Sequence, residues 1–563
     1  MEKDLCKPSP GTPDRPDGPD PGAGFGGLHV CLGLRRASLL PVPGGIQGDL
    51  GIRRLDRIAH RSRRTRHFER DRQEVRADVA QAFLNNIRAP GKTAMSKKSM
   101  STCLFKPMRR REALSLIGGA ALAFSGLPFP WSGTAQAESS RRPNILFILS
   151  DDHRWDHMGC AGHPFVQTPH LDRLAREGVR FKNAFVTTSL CSPSRASFLT
   201  GTYAHTHGVK NNLTPWRNDR TTFMEILKQQ GYQTAFIGKW HMPGRLPRLR
   251  GVDHFVTFTV QGGQGRYFDC PLVVDGREEP SRKAYITEEL TDRAIRFIAN
   301  QEKAPFCVVL SHKAVHHQFL PPPDLKGLYD NAPLNLPPEM DPWVSSIDGN
   351  LFYGMLGPVS FLYRNYCAAL TAMDREIGRL LRTLDQLGIT RDTLVIYAGD
   401  NGYFWGEHNL VDKRYAYEES IRIPFIVRWP ALIRNPGRTA PHMVLNVDVA
   451  PTILEATGVG VPRFMEGQSL LPVLKRAQAP GRTAWLYEYF RDYPYRVPPH
   501  TAVRTRTHKY IEFETERPPE LYDLVRDPGE RHNLYGTPRG RELAPRLRAL
   551  LERLRASGGR TGD

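Results

Sequence analysis

Asn144-Ile145-Leu146-Phe147-Ile148-Leu149-Ser150 runs without a charge and then closes on two carboxylates, Asp151-Asp152. A continuous apolar run of this length reads as a strand buried on both faces, because a half-exposed strand would alternate with polar residues. The pattern then repeats along the chain. Residues 170–177 read as a helix stopped at Gly178, and 222–230 as a helix stopped at Gly231 and followed by a strand at 234–237. A helix at 288–300, a strand at 306–310, a helix at 367–387 and a strand at 393–398 continue the series. Strands alternating with helices predict an α/β domain on a large, mostly parallel central sheet flanked by helices. Ligands of such sheets gather beyond the carboxyl ends of the strands. Asp151-Asp152 and Asp400-Asn401 fall there.

Elsewhere the texture changes. Residues 319–360 are Pro-rich and aperiodic, which predicts a long loop over the site. Residues 446–458 read as a capped helix. After Pro480 the pattern alternates, in Trp485-Leu-Tyr-Glu-Tyr-Phe, Ala502-Val-Arg-Thr, Lys509-Tyr-Ile-Glu-Phe and Leu521-Tyr-Asp-Leu, and predicts a small antiparallel sheet. A basic amphipathic helix at 541–555, with Leu543, Leu547, Leu550 and Leu554 on one face, closes the chain. Packing on that sheet is its expected use, rather than lying on a membrane surface. The expected organisation is an extension over 1–105, an export signal over 106–137, a catalytic α/β domain over 138–480 and a C-terminal α+β subdomain over 481–563.

The 563 residues carry a formal charge of +20, unevenly placed. Residues 1–137 hold 23 Lys and Arg against 12 Asp and Glu, so +11 of the excess lies there. The Arg-rich stretch 53–76 has Pro/Gly/Asp-rich neighbours at 8–27, a composition that cannot offset the entropy of ordering. It reads as a disordered or misassigned extension, and no nucleic-acid partner is expected. Arg109-Arg110-Arg111, an apolar run over 113–127 and Ala135-Gln136-Ala137 form a charged head, a short apolar segment and a cleavage site. The run is shorter than a membrane span needs, so no stable span is expected. The paired arginines resemble a twin-arginine signal, which implies export machinery as a partner and a bacterial periplasmic or secreted location. Beyond Ala137 five cysteines remain, Cys160, Cys191, Cys270, Cys307 and Cys367. An odd count leaves at least one outside intramolecular disulfides.

Cys191-Ser192-Pro193-Ser194-Arg195 carries the most chemistry. Pro193 suits the first turn of a helix. Cys191 is then expected at or just before a helix N-terminus, where backbone N–H groups and the dipole favour anions. Asp151, Asp152, Asp400 and Asn401 offer hard oxygens that suit Ca²⁺ or Mg²⁺. Either pair alone would be an ordinary cap or turn; the two together after strands, with Cys191 near in the chain, point to a site. Lys239 and His241 follow the strand at 234–237, His316 lies beyond the strand at 306–310, and Lys413 follows Asp400-Asn401 closely. Such groups supply fixed charge and proton transfer.

From Pro143 to Leu534 the chain resembles the type I, formylglycine-dependent sulfatases of the alkaline phosphatase superfamily. The resemblance rests on Asp151-Asp152, Cys191–Arg195 running into Thr200-Gly201, Gly238-Lys-Trp-His241, Asp400-Asn401-Gly402, Tyr417-Glu-Glu-Ser-Ile-Arg-Ile-Pro424 and Leu521-Tyr-Asp-Leu with Asp527-Pro528. It implies that a maturation enzyme, as a partner, converts Cys191 to formylglycine. The hydrated aldehyde offers two geminal hydroxyls, one to attack a sulfate ester and one to expel sulfate afterwards. The resemblance also implies a divalent metal, Ca²⁺ or Mg²⁺, on Asp151, Asp152, Asp400, Asn401 and the modified Cys191. Arg195, Lys239 and His241 would position the formylglycine. His316 and Lys413 would contact the sulfate, and one of them would protonate the leaving alcohol. Where many relatives have Pro-His this chain has Val315-His316, and His312 and His317 stand close by as alternatives.

Leu190 to Gly201, followed by Tyr203-Ala-His205-Thr-His207-Gly and Asn211-Asn212, looks most like the sulfatases of N-acetylglucosamine-6-sulfate and related glycans. On that analogy His205 and His207 line a sugar subsite, and Arg496 or Tyr489, Tyr493 and Tyr495 reach it from the small subdomain. The expected function is sulfate-ester hydrolysis on a sulfated sugar or glycan. The competing readings are an arylsulfatase, a phosphate- or phosphonate-ester hydrolase on the same scaffold, and a non-catalytic binder of sulfated glycans.

Overall fold

In the computed structural model, which describes residues 142–334 (save 245, 248, 302 and 303) and 359–560, the run that opens the catalytic part is β1 (Asn144–Ser150). Ile145, Leu146, Phe147 and Ile148 are all 0% exposed. Their alternation sorts them. Leu146 and Ile148 enter one hydrophobic core with Leu171, Leu290 and Leu370, while Ile145, Phe147 and Leu149 enter a second with Phe198, Phe236 and Ile453. A sheet with a core on each face explains why the strand reads as uniformly apolar.

In chain order the strands are β2 (Val179–Phe185), β3 (Gln233–Gly238), β4 (His254–Thr257), β5 (Leu272–Val274), β6 (Arg277–Glu279), β7 (Phe306–Ser311), β8 (Thr393–Gly399), β9 (Phe404–Trp405), β10 (Val411–Asp412), β11 (Phe425–Arg428) and β12 (Arg438–Leu445). Ten of them form one sheet in the order β12-β2-β11-β8-β1-β7-β3-β4-β5-β6, and β9 pairs with β10 in a separate ribbon. The run β8-β1-β7-β3-β4 is parallel throughout, as is β12 on β2. Two features add antiparallel pairing to the expected sheet: β11 lies antiparallel between β2 and β8, and β5 and β6 fold back at the far edge.

The helices predicted from periodicity are present with shifted ends, at Pro169–Glu177, Phe223–Gln229, Ile286–Ala299 and Val449–Ala456. Thr222 caps its helix by accepting from Glu225 N. The helix predicted at 367–387 is longer, Val359–Gln386, so the Pro-rich loop ends before Val359. Its inner face buries Leu362, Tyr366, Leu370 and Ile377 at helical spacing. Of the loop, 335–358 lies outside the described residues, as do the extension and the export signal.

The small sheet is an antiparallel meander of β13 (Ala484–Tyr489), β14 (His500–Thr505), β15 (His508–Phe513) and β16 (Glu520–Asp523). The terminal helix Pro538–Ala556 lays Leu547, Leu551 and Leu554 into the same core as Trp485, Tyr487 and Val503. That core also takes Phe185, Leu190, Tyr203 and Leu445, so the small sheet is packed directly against the elements flanking Cys191. Among the described residues no helix is long and apolar enough to cross a membrane, and all five described cysteines are thiols.

Candidate functional site

The parallel strands deliver their carboxyl ends to one place. Asp151 follows β1, and its N–H donates to Ala314 O at 2.9 Å. Asp400 follows the neighbouring β8 and donates its N–H to Ser150 O at 2.9 Å. Asp152, at φ 56°, turns back so that its N–H donates to Asp400 Oδ1 at 2.9 Å. Asn401 Nδ2 donates to Asp152 Oδ1 at 2.6 Å. All four side chains are 0% exposed.

Cys191 opens the helix Cys191–Thr200, whose N-cap Leu190 offers no side-chain bond to the first turn. The thiol is 0% exposed and lies 3.7 Å from Asp151 Oδ1. One turn on, Arg195 donates from Nε and Nη2 to Asp400 Oδ2 at 3.0 and 2.7 Å and from Nη1 to Lys239 O at 3.1 Å. Lys239 sits just past β3 and bonds Asp151 Oδ2 through Nζ. Gly238 makes that approach possible. Its φ is +118°, and a Cβ there would stand 1.8 Å from Ser311 O. Lys413, beyond β10, bonds Asp152 Oδ1 through Nζ.

Three buried carboxylates thus meet three buried cations, Arg195, Lys239 and Lys413. Burial opposes the ionisation of Asp151, yet Lys239, Arg195 and Lys413 hold its carboxyl well below the usual range. Burial, with Asp151 and Asp152 adding repulsion, pushes Asp400 up to about 7. Lys413 keeps its proton: burial opposes the charge, but Asp152 and the neighbouring anionic groups raise it well above its ordinary value. Burial also pushes the Cys191 thiol up to about 12.

Of the three candidate histidines, His316 faces the carboxylates, with Nε2 3.7 Å from Asp152 Oδ2. One ligand atom each from Asp151, Asp152, Cys191 and His316 lie within 4.8 Å of one another. His312 is buried and neither ring nitrogen has a hydrogen-bond partner. His241, at φ 53°, accepts from Ser192 Oγ at its backbone oxygen. Burial and then the charge of Lys239 hold both His241 and His316 well below their ordinary value, so both rings are neutral.

Among the expected sugar-contact residues, Tyr495 packs on Arg414 beside Lys413, whereas the partners of His205 and His207 lie outside this cluster. His205 Nδ1 lies 2.8 Å from Glu488 Oε1 on the small sheet. His207 is 1% exposed, with Nε2 3.0 Å from Ser197 Oγ and Nδ1 accepting from Val209 N–H at 3.1 Å. Arg496 is exposed, and Tyr489 is buried at 2%.

Four groups that sequence reasoning passed over do converge here. Asp412 and Arg414 flank Lys413 at positive φ, 74° and 99°. Asp412 lies 3.6 Å from Lys413 Nζ and also pairs with Arg414. Arg414 Nη2 lies 3.2 Å from Asp492 Oδ2, and its guanidinium sits 3.4 Å from the Tyr495 ring centroid. The run of three adjacent charged residues, Asp412-Lys413-Arg414, was the available signal. Lys313 is also buried here, 5.0 Å from the Tyr267 centroid, and burial followed by Lys239 lowers it to about 7.

The sulfatase family model matches residues 143–459, which contain every one of the clustered acids and cations except Asp492. The chain belongs to the sulfatase family. A second model, N-sulphoglucosamine sulphohydrolase C-terminal, matches 406–557 of this sulfatase. The enzyme is 33% identical to an N-acetylglucosamine-6-O-sulfatase of Bacteroides thetaiotaomicron, over 80% of this chain and 92% of that one. It is 30% identical to an ulvan-active sulfatase of Formosa agariphila, over 75% and 83% of the two chains. A solved structure in complex with its substrate D-glucosamine-2-N,6-O-disulfate superposes with TM-score 0.69 at 32% identity, covering 74% of this chain and 98% of that one. A phosphonate monoester hydrolase from Silicibacter pomeroyi superposes with TM-score 0.62 at 25% identity, covering 74% and 96%.

Proposed function

We propose that this sulfatase removes sulfate from a sulfated amino sugar or a related glycan, using formylglycine made from Cys191 and a divalent metal. The observation that carries the reading is the placement of Cys191 at a helix start, 3.7 Å from a carboxylate of a balanced buried cluster. The relatives that act on N-acetylglucosamine-6-sulfate and on glucosamine disulfate support the sugar class.

The donor set fits a hard cation. Asp152 Oδ2 and Asn401 Oδ1 are buried with no hydrogen-bond partner, an arrangement that is costly unless something else meets those oxygens. Asp151, Asp152, Asp400 and Asn401 would hold Ca²⁺ or Mg²⁺, which supplies a Lewis acid toward a sulfate oxygen. Arg195, Lys239 and Lys413 face three carboxylates, of which Asp400 is pushed up to about 7, so these cations with a bound divalent ion would make the pocket attractive to an anionic ester. Formylglycine supplies the geminal hydroxyls, one nucleophile and one leaving-group trigger.

The chain's own residues orient these parts. Arg195 clamps Asp400 and the Lys239 carbonyl, which fixes the floor under residue 191. Lys239 and Lys413 hold ammonium charge where sulfate oxygens would sit. His241, neutral, is the group beside Ser192 that can accept a proton from a hydroxyl at position 191. His316 offers Nε2 on the Asp152 side, and an arriving sulfate ester would raise its proton affinity. His316 or Lys413 then protonates the departing sugar oxygen. We assign the catalytic domain to 138–480 and the subdomain to 481–563. Export through 106–137 to the periplasm or medium follows modification of Cys191 by a maturation enzyme in the cell.

Intact mass tests the modification: conversion lowers the mass by about 18 Da, whereas an active protein that carries only thiol overturns the mechanism. A panel of sulfated sugars, aryl sulfates and phosphonate monoesters tests the substrate class. The expected result is the highest kcat/KM on 6-O-sulfated glucosamines. Turnover confined to aryl sulfates or phosphonates refutes the sugar assignment.

A further inference from the structure

Outside the carboxylate cluster, the loop after the helix Ala204–His207 and the loop after β13 meet beside Cys191. Asn212 Oδ1 accepts from Ser192 N–H, one residue from the thiol, at 3.0 Å. The Asn212 N–H donates to Asp492, and Asn211 Nδ2 donates to Arg491 O at 2.7 Å. The two loops are thus stitched together into a rim beside Ser192, next in the chain to Cys191. Asp492 turns inward to Arg414 at 3.2 Å, which sends its chain neighbours outward. Arg491 is exposed, and Tyr493 is 61% exposed. Lys210 is exposed on the facing loop, 4.9 Å from the Phe490 ring centroid, and Leu213 beside it is 54% exposed.

The charge on this rim is one-sided. Among the described residues neither Lys210 nor Arg491 has a carboxylate partner, and Asp492 is consumed by Arg414. Arg491 lies 5.7 Å from the Tyr493 centroid, and its Nη1 is 3.5 Å from the Tyr493 hydroxyl. An exposed tyrosine face beside guanidinium and ammonium groups suits a sugar ring that carries an anionic substituent. The ring stacks on the aromatic, and the anion takes charge-assisted bonds from Arg and Lys.

We infer that Lys210, Arg491 and Tyr493 form a second subsite, which binds an anionic sugar linked to the one that loses its sulfate. The inference rests on the sugar-sulfatase reading above and narrows its substrate class to acidic oligosaccharides. The rim holds the neighbouring residue of the chain while the sulfated unit lies toward Cys191, so a charged neighbour adds to binding.

The test uses two disaccharides, a 6-O-sulfated glucosamine linked to a uronic acid and its carboxyl-reduced counterpart, assayed with the Ca²⁺-loaded, formylglycine-bearing enzyme. Wild type is expected to favour the uronic-acid form in kcat/KM by roughly tenfold at low salt, the scale of one hydrogen bond to a charged group. That ratio should shrink as ionic strength rises. In K210A/R491A it should fall toward one, and in R491E below the K210A/R491A value. Both variants change exposed side chains, and thermal melting verifies their folding. Equal kcat/KM on the two disaccharides in wild type, or an unchanged ratio in the variants, overturns the subsite. If no 6-O-sulfated glucosamine is hydrolysed in any form, the sugar-sulfatase reading fails and the subsite fails with it. Hydrolysis of the monosaccharide with a ratio of one overturns the subsite alone.

Discussion

Arg414 rests its guanidinium 3.4 Å from the centroid of the Tyr495 ring while Asp492, three residues before that tyrosine, takes its Nη2 at 3.2 Å. Both partners come from the loop that follows β13, so the small sheet reaches into the cluster that holds Lys413. Tyr487, on β13 itself, donates its hydroxyl to Arg414 O at 2.6 Å and accepts from Ser189 N–H at 3.2 Å. The left-handed backbone at Asp412 and Arg414 is strained for such residues. It is held by contacts 78 positions away along the chain.

This clamp predicts a loss of activity without loss of fold. In D492N the guanidinium keeps Asp412 and Tyr495 but loses its second carboxylate, and Lys413 loses its fixed position. A misplacement on the order of 1 Å costs roughly a hundredfold in rate. Steady-state kinetics on a small sulfate ester should show kcat falling ten- to a hundredfold, with a small change in melting temperature. A kcat equal to wild type would show that the clamp does not set the geometry of Lys413.

Gly238→Ala should fail more severely. The added Cβ would meet Ser311 O at 1.8 Å, a backbone atom of the paired strand β7. Relief requires separating two central strands and moving Lys239 away from Asp151. The expected outcome is a destabilisation of about 3 kcal/mol or more, as for overpacking combined with a left-handed φ. Denaturant melts of the purified variant, or its absence from the soluble fraction, measure this.

Removing divalent metal should weaken both stability and turnover. With no cation, Asp152 Oδ2 and Asn401 Oδ1 stay buried without partners. Dialysis against a chelator is expected to lower the melting temperature, and Ca²⁺ at a hundredfold excess over its Kd to restore about 3 kcal/mol. Turnover should fall roughly a hundredfold or more, since a Lewis acid supplies several kcal/mol of charge stabilisation. Melting curves that ignore both chelator and Ca²⁺ would argue against the assigned ligands.

Glu530 predicts a pH dependence remote from the carboxylate cluster. It is 1% exposed, and its Oε1 lies 2.7 Å from Lys509 Nζ. Burial, with Glu418 and Glu419 adding repulsion against the pull of Lys509, raises its carboxyl to about 7. The folded state therefore binds this proton more tightly than the unfolded chain does. The associated stability is full below the unfolded value near 4.5 and is lost as pH rises through about 7. Relative to E530Q, wild type should lose up to about 3 kcal/mol between pH 5 and pH 8. Parallel chemical melts of the two proteins give this difference directly, and a constant gap across that range would contradict it.

Much of the site was readable because its parts are local. Asp151-Asp152 and Asp400-Asn401 each follow an apolar strand, and neighbouring parallel strands bring their ends together. Pro193 marked the helix start, and the helix begins at Cys191. Periodicity was less informative about neighbours. Residues 425–428 are apolar enough for a strand, but nothing local says that β11 runs antiparallel between β2 and β8. The helix beginning at Val359 was read as starting at 367 because its first turns follow the aperiodic Pro-rich stretch. Among His312, His316 and His317 spacing left the choice open, and the turn after β7 brings His316 to Asp152. The partners of Arg414 and the pairing of His205 with Glu488 are contacts across the chain, which no window of one segment contains.

The thiol of Cys191 is 0% exposed, and the remaining residues of its motif are all buried. No second protein can take hold of such a segment once β1, β8 and the small sheet have closed around it. An enzyme that rewrites this side chain must therefore meet an unfolded chain. On the proposed conversion of Cys191 to formylglycine, competence is set during the interval between synthesis and folding, and conditions that speed folding relative to modification would yield a well-folded, inert population. The ratio of active to inert molecules in a preparation is then a record of a race already run, which no later treatment of the folded protein can alter.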